Sequence, residues 1–363
     1  MSKLNVSFLL LVTLTFMLVL VGSSVLAQDK PGVDFDCSDF TAAAIVHFQG
    51  PYTQQLMAGA AAAAAECGAE IITGGPAAFD AAAAVSIFQD AVLAGADALV
   101  VVAFPSEFWI RPIDDAVARG AVVSTYDVES PASLVSVHTA PKQKDQGRAM
   151  ANVLAEALGG EDAEGSVVIG ICLPGLELIE TRIVGFKERM AELAPNVELI
   201  GPLDVAFDQT ENFARWQEVI ATYPDADAYV GYCENDLPSL VRIKESDPNA
   251  DYLIGSIGIN PDGLQGIADG VALVAVGQKP FMQGYVAMRT MLQSLAEGKP
   301  VPRGWIDVGP EVVTAENVEA VMAREASLSR GTAETQAYYQ EEIDAIFADL
   351  AASVQSYADL LGD

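Results

Sequence analysis

Cysteine, histidine and basic residues are all scarce in this chain. Its 363 residues include 4 Cys and 2 His. Four cysteines cannot make a disulfide scaffold in a chain this long, and no CxxC or Cys/His zinc spacing occurs. Lys and Arg number 19 against 50 Asp and Glu, a formal net charge of −31. That balance argues against nucleic acid or an anionic membrane surface as a partner, because both are held through cations. It fits a self-repelling, soluble surface on a protein outside the cytoplasm. HExxH, GxSxG, GxxxxGK[ST] and GxGxxG are missing too, so zincin, serine-hydrolase, P-loop and dinucleotide chemistry have no support. No cofactor, no metal and no catalysis are expected. His47 and His138 are the only imidazoles that could join Asp127 around an ion, and no ligand spacing connects them.

The composition is 51% hydrophobic and 19% charged, which describes a globular chain long enough for two domains. Residues 1–27 carry Lys3, an apolar run from Phe8 to Val21, and then Gly22, Ser23, Ser24, Val25, Leu26 and Ala27. This is the pattern of an export signal cleaved after Ala27, the run being shorter than the roughly 20 residues that span a bilayer. The expected location is therefore the periplasm or the cell exterior. In an oxidising compartment Cys37 could meet Cys67, and Cys172 could meet Cys233, at the ends of neighbouring elements; buried free thiols fit the same spacing.

From Thr41 onward, short apolar runs alternate with Ala-rich helical stretches. Strands are expected at Ala42–Phe48, Glu70–Thr73, Ala98–Ala103 and Ala121–Tyr126. Their continuous Val/Ile/Ala character, without alternation, is that of parallel strands covered on both faces. After a connecting segment, Val135–Lys144, a second series places strands at Ser166–Cys172, Val197–Ile200, Ala228–Cys233, Tyr252–Ile257 and Val271–Val276. The class is α/β: two doubly wound parallel-sheet lobes with a ligand cleft between them. The last stretch, Thr332–Asp363, has Tyr339, Ile343, Ile346, Phe347, Leu350, Val354, Tyr357 and Leu361 at three- and four-residue steps. It reads as one amphipathic helix packed along a lobe.

Ligands of α/β sheets sit beyond the carboxyl ends of the strands, so those ends supply the candidates. After the first strand come Phe48 and Tyr52, after the third Phe104 and Trp109, and at the end of the fourth Tyr126 and Asp127. The second series contributes Arg182, Glu234, Asn235 and Gln278. Aromatic faces grip the C–H face of a sugar or another flat ring, while carboxylates, amides and one guanidinium read hydroxyls at its rim. Core packing and helix capping are the competing roles for these same residues.

The stretches VVVAFP (100–105), VVSTYD (122–127), RIVGF (182–186), ENDLPSL (234–240), INPDG (259–263) and GQKPFMQG (277–284) resemble, in order and spacing, the periplasmic sugar-binding proteins of ABC transporters, ribose- and galactose-binding type. The resemblance covers about residues 41–318. It implies two lobes joined by a three-stranded hinge with crossings near Pro141, Lys279 and Gly309, closing on a sugar and presenting both lobes to a membrane permease. The implied lobes are 28–141 plus 279–309 and 142–278 plus 310–325, with 326–363 as a helical extension. Phe48 and Tyr52 correspond to aromatic contacts, Asp127 to a hydroxyl-binding aspartate, Asn235 to a second-lobe asparagine and Gln278 to a glutamine beside the hinge. Two departures bear on the ligand: Gly258 stands where the family has an aspartate, and Leu178 and Ile179 stand where an arginine precedes Arg182 by a turn. The expected function is that of an exported, monomeric solute-binding protein for a small neutral carbohydrate or polyol. The alternatives are a nucleoside or other flat-ring ligand, or a ligand sensor that docks on a membrane receptor.

Overall fold

The computed structural model describes residues 33–328 and 332–357. The expected signal at 1–27, and Leu361 of the terminal stripe, lie outside them. In the first half of the chain, β1 (Thr41–Ile45), α1 (Pro51–Cys67), β2 (Glu70–Gly74), α2 (Ala81–Leu93), β3 (Ala98–Val101), α3 (Ile110–Ala118), β4 (Val122–Tyr126) and β5 (Val137–Ala140) follow in turn. Next come α4 (Gln143–Leu158), β6 (Gly165–Ile171), α5 (Glu177–Leu193), β7 (Val197–Asp204), α6 (Gln209–Thr222), β8 (Ala228–Gly231), α7 (Asp236–Ser246), β9 (Leu253–Ile257), α8 (Pro261–Ala268) and β10 (Val274–Gly277). The chain ends with α9 (Pro280–Ala296), β11 (Gly304–Asp307), β12 (Glu311–Val313), α10 (Val318–Leu328), α11 (Thr332–Ala348), α12 (Leu350–Ser353) and β13 (Val354–Gln355).

The strands form two sheets, ordered β13-β11-β5-β4-β3-β1-β2 and β12-β10-β9-β8-β6-β7. All pairings are parallel except β13 on β11 and β12 on β10. Every residue of β3, β8 and β10 is buried, as a strand covered by helices on both faces requires. These are two α/β lobes. The chain passes from the first sheet to the second after β5, returns between β10 and α9, and passes again between β11 and β12. At the second of these crossings Lys279 has φ 51°, a left-handed conformation uncommon outside glycine.

Within each lobe one helix pair approaches so closely that only glycine fits. A Cβ on Gly59 or Gly284 would fall 1.9 Å from the Phe281 or Leu56 carbonyl oxygen, joining α1 to α9. On Gly147 it would fall 1.9 Å from the Arg182 oxygen, and on Gly185 2.2 Å from the Lys144 oxygen, joining α4 to α5. The two glycine pairs fix how closely α1 lies to α9 and α4 to α5.

Several expectations are revised. The segment Val135–Lys144 contains β5, whose His138 and Thr139 are buried. Polar residues hid this strand; Thr139 Oγ1 donates to the Gln283 carbonyl at 2.8 Å, and the Thr125 hydroxyl lies 3.0 Å from His138 Nδ1. The terminal stretch is not one helix. Asp349 accepts from Ala352 N at 3.0 Å and restarts the chain as α12, after which β-branched Val354 enters the first sheet. Its stripe still packs as amphipathicity demands, with Tyr339 and Ile343 in the core beneath α1 and α9. Both cysteine pairs are disulfides, with Cα–Cα distances of 5.1 Å for Cys37–Cys67 and 6.1 Å for Cys172–Cys233.

Candidate functional site

The polar centre starts at the first turn of α1. Gly50 precedes Pro51, whose fixed φ suits the first helical position, and Thr53 Oγ1 accepts from Gly50 N at 2.9 Å. This start places Tyr52 so that its hydroxyl donates to Asp127 Oδ1 at 2.9 Å. Asp127 follows β4 directly and has φ 65°, a left-handed turn that carries its carboxylate off the strand. Its backbone N–H donates to Gln283 Oε1 at 2.8 Å. Gln283, fully buried on α9, donates from Nε2 to the Gln278 carbonyl at 2.8 Å and to Tyr52 Oη at 3.3 Å.

From the other lobe, Arg182 reaches the same place. It is 5% exposed on α5; its Nε donates to Gln143 Oε1 at 2.7 Å and its Nη2 to Gln278 Oε1 at 3.0 Å. Gln143 is held in turn by Gln146 Nε2 at 2.9 Å. A continuous row of hydrogen bonds therefore runs from Tyr52, Asp127 and Gln283 through Gln278 to Arg182 and Gln143. Burial raises Asp127 to about 6, with the Tyr52 hydrogen bond and the Arg182 charge opposing that rise. Burial also lowers Arg182 to about 10, against the pull of Asp127 and Tyr52. The Tyr52 hydroxyl is pushed well up by burial and by the neighbouring carboxylate.

Beside this row lies an aromatic patch. His47 is 4.7 Å from Phe48, 5.9 Å from Phe79 and 6.1 Å from Phe104, ring centre to ring centre, and Phe79 lies 5.5 Å from Phe104. These residues follow β1, β2 and β3, at carboxyl ends of strands. Phe79 is 53% exposed, so one face of the patch is open to solvent. Burial lowers His47 to about 4, so it is a neutral ring at physiological pH.

The second lobe presents Glu234 and Asn235 beyond β8. Asp236 fixes their turn from beneath: fully buried, it accepts from Asn212 Nδ2 at 2.7 Å, Trp216 Nε1 at 2.9 Å and Cys233 N at 2.8 Å. The Cys172–Cys233 disulfide ties the loop after β6 to the one after β8. Asn235 Nδ2 donates to the Phe207 carbonyl at 2.6 Å, and Asn260 Nδ2 to that of Glu234 at 2.7 Å. Gly258 has φ 106°, and a Cβ there would lie 2.7 Å from Glu234 Cα. The backbone of Glu234 thus fills the space that a side chain at position 258 would need. Glu234 is solvent-accessible but surrounded by protein mass, which raises its pKa, and Glu325 adds repulsion.

Of the sequence candidates, the structure gathers Tyr52, Asp127, Arg182 and Gln278 in one network, and Phe48 and Phe104 in one aromatic patch. Glu234 and Asn235 share a second-lobe loop. Trp109 and Tyr126 go elsewhere. Trp109 is fully buried in the core with α2, 5.5 Å from Phe88. Tyr126, the last residue of β4, turns into the core and donates its hydroxyl to the Ile45 carbonyl at 3.1 Å. Sequence reasoning passed over Gln283, Gln143 and Phe79, and weighed His47 only as an aromatic neighbour of Phe48 or a metal ligand. Gln283 carried a signal: it is polar within a helix that is buried through nearly every turn. Among the described residues no three His, Cys, Asp or Glu side chains are grouped to hold a metal, and no helix is long and apolar enough to cross a membrane. A buried carboxylate, a guanidinium and amides beside aromatic rings suit recognition of a hydroxylated ring by charge-assisted hydrogen bonds and stacking.

Residues 42–300 match the family described as periplasmic binding protein domain. No curated protein matches the chain. Among solved structures it is similar to an ABC transporter solute-binding protein from Burkholderia graminis C4D1M in complex with D-arabinose, at 23% identity and a TM-score of 0.69, covering 78% of this chain and 97% of that one. A sugar-binding protein of a Bacillus halodurans sugar ABC transporter gives 21% identity and a TM-score of 0.71, covering 77% and 99%. A solute-binding protein from Agrobacterium vitis bound with α-D-tagatopyranose gives 21% and 0.66, covering 78% and 98%.

Proposed function

This chain belongs to the periplasmic binding protein domain family, a family of binding proteins and not of enzymes, and from that premise we propose that it captures a small neutral carbohydrate or polyol between its lobes and delivers it to an ABC permease. The observation that carries the reading is the hydrogen-bonded row from Tyr52 and Asp127 to Arg182, which draws on both lobes and adjoins the aromatic patch. A ring seated there donates hydroxyls to Asp127, accepts from Arg182 and rests an apolar face on Phe48 or Phe104. Contacts to both lobes exist together only when the cleft is closed, so ligand shifts the hinge equilibrium toward closure. Micromolar affinity corresponds to about −8 kcal/mol, which a few hydrogen bonds to charged groups at roughly 1.5–3 kcal/mol each and one stacked ring supply after ordering costs. Cleavage after Ala27 places the mature protein outside the cytoplasm, where it acts as a monomer with the permease as its macromolecular partner.

The test is thermal unfolding against panels of pentoses, hexoses, polyols and nucleosides, with wild-type protein and Asp127→Ala. The proposal expects a sugar or polyol to raise the wild-type melting temperature and the variant to lose that shift. A nucleoside as the sole stabilising class would overturn the ligand assignment, and an undiminished shift in Asp127→Ala would overturn the site.

A further inference from the structure

We propose that helix α11 is a clasp on the crossings between the lobes, and that Tyr338, Tyr339 and Glu342 are positioning residues that fix the angle between the two sheets. The family match ends at residue 300. The solved relatives are covered over 97–99% of their own length by 77–78% of this chain, so the chain carries residues they lack. The clasp needs only the two-lobed fold and holds whatever the ligand is.

The helix is seated on the first lobe. Tyr339 and Ile343 lie in the core with α1 and α9, and the Tyr339 ring is parallel to that of Phe281 at 6.3 Å. Farther along, β13 pairs with β11 of the first sheet. From this seat its side chains reach the second and third crossings. Glu342 pairs with Lys279, whose Nζ also donates to the Val308 carbonyl at 3.2 Å. One ammonium thus joins both crossings to α11. Tyr338 and Tyr339 direct their hydroxyls at Glu311, at 3.2 and 3.5 Å.

Glu311 begins β12 in the second sheet, opposite Gly277, and pairs with Arg324 of α10. Arg324 is 5% exposed and lies 4.7 and 5.1 Å from the Tyr338 and Tyr339 ring centres. The loop closes back to the first lobe, because Arg324 pairs with Glu325 at 2.8 Å and Glu325 accepts from Gln55 of α1 at 2.7 Å. A helix fixed to one sheet and bonded to the edge strand β12 of the other opposes their relative rotation. The clasp also borders the site, since Lys279 follows Gln278 and its carbonyl accepts from Gln283 N at 3.1 Å.

The experiment uses the full-length, ligand-free protein. Glu342→Gln removes the pairing with Lys279 and Tyr338→Phe removes one hydroxyl from Glu311; both positions are partly exposed, so the fold should survive. Hydrogen exchange is read at residues 278–283 and 308–313, and the radius of gyration by small-angle scattering. The clasp predicts exchange about tenfold faster in those segments, a larger radius, and no such change in Glu341→Gln, an exposed neighbour on the same helix. Lys279→Met combined with Glu342→Gln should be no worse than Lys279→Met alone, because both remove one interaction. Unchanged exchange and radius in both single variants would overturn the proposal. So would faster exchange spread evenly over both sheets, or an equal effect of Glu341→Gln.

Discussion

Replacing Gly147 by alanine tests whether helix spacing sets the geometry of the site. The added Cβ would sit 1.9 Å from the Arg182 carbonyl oxygen and 2.7 Å from Phe186 N. Real Cβ atoms do not come within 3.0 Å of such atoms, so α4 and α5 must part by about 1 Å, the cost of an overpacked core being roughly 1–3 kcal/mol. Gln143 belongs to α4 and Arg182 to α5, so the separation stretches their hydrogen bond, now 2.7 Å. Lengthened by that amount it exceeds hydrogen-bonding reach, and losing one bond to a charged group costs roughly 1.5–3 kcal/mol. Arg182 would then be free to leave Gln278, and ligand affinity should fall about tenfold or more. The assay is urea unfolding with calorimetric titration of the ligand that stabilises the wild type best. Val184→Ala, on the exposed side of α5, serves as control and should stay within about 0.5 kcal/mol. An unchanged midpoint together with unchanged affinity in Gly147→Ala would refute the reasoning.

Three further outcomes follow from the same geometry. The folded-state pKa of Asp127 is raised from 3.8 to about 6, so the folded chain holds the proton more tightly than the unfolded one and this group's contribution to stability declines as pH rises from about 4 to 6. Ligand hydroxyls favour the carboxylate form, so affinity should grow as pH rises through about 6 and level off above it; titration between pH 4.5 and 8 that gives a flat affinity would contradict the role of Asp127. Cys172 and Cys233 close a 61-residue separation, and replacing both by serine should cost about 4 kcal/mol in urea unfolding and weaken binding through the Glu234–Asn235 loop; replacing Cys37 and Cys67 should cost stability without affecting affinity. Phe79→Ala should leave stability within about 0.5 kcal/mol because the ring is largely exposed, yet lower ligand affinity, and equal affinity in calorimetry would remove Phe79 from the aromatic wall.

Much of the fold was legible because parallel strands buried on both faces read as unbroken Val/Ile/Ala runs. Where that signal failed, polarity was the cause: β5 holds His138 and Thr139, whose side chains bond to Thr125 on the neighbouring strand and to Gln283, 144 residues away. The terminal stripe was seen, but its break at Asp349 depends on a cap that competes with continued helix. In the site, Asp127 stood out because it follows a strand directly. Tyr126, one residue earlier, was misjudged because neighbouring strand residues point to opposite sides and periodicity does not say which side is the cleft. Trp109 failed for a related reason, since a short turn after β3 returns it to the core. Gln143 accepts from a side chain 39 residues away and Gln283 from a backbone N–H 156 residues away, and no local pattern announces such partners. Gly258 marked a departure from the family pattern, and only the structure places the Glu234 backbone in the vacated space.

The central claim, a cleft that holds a hydroxylated ring between its lobes, is tested most directly by native mass spectrometry of freshly purified protein. A noncovalent adduct whose mass fits a small neutral sugar or polyol, lost on Asp127→Ala, is the predicted result. An adduct of another class that survives Asp127→Ala would contradict it.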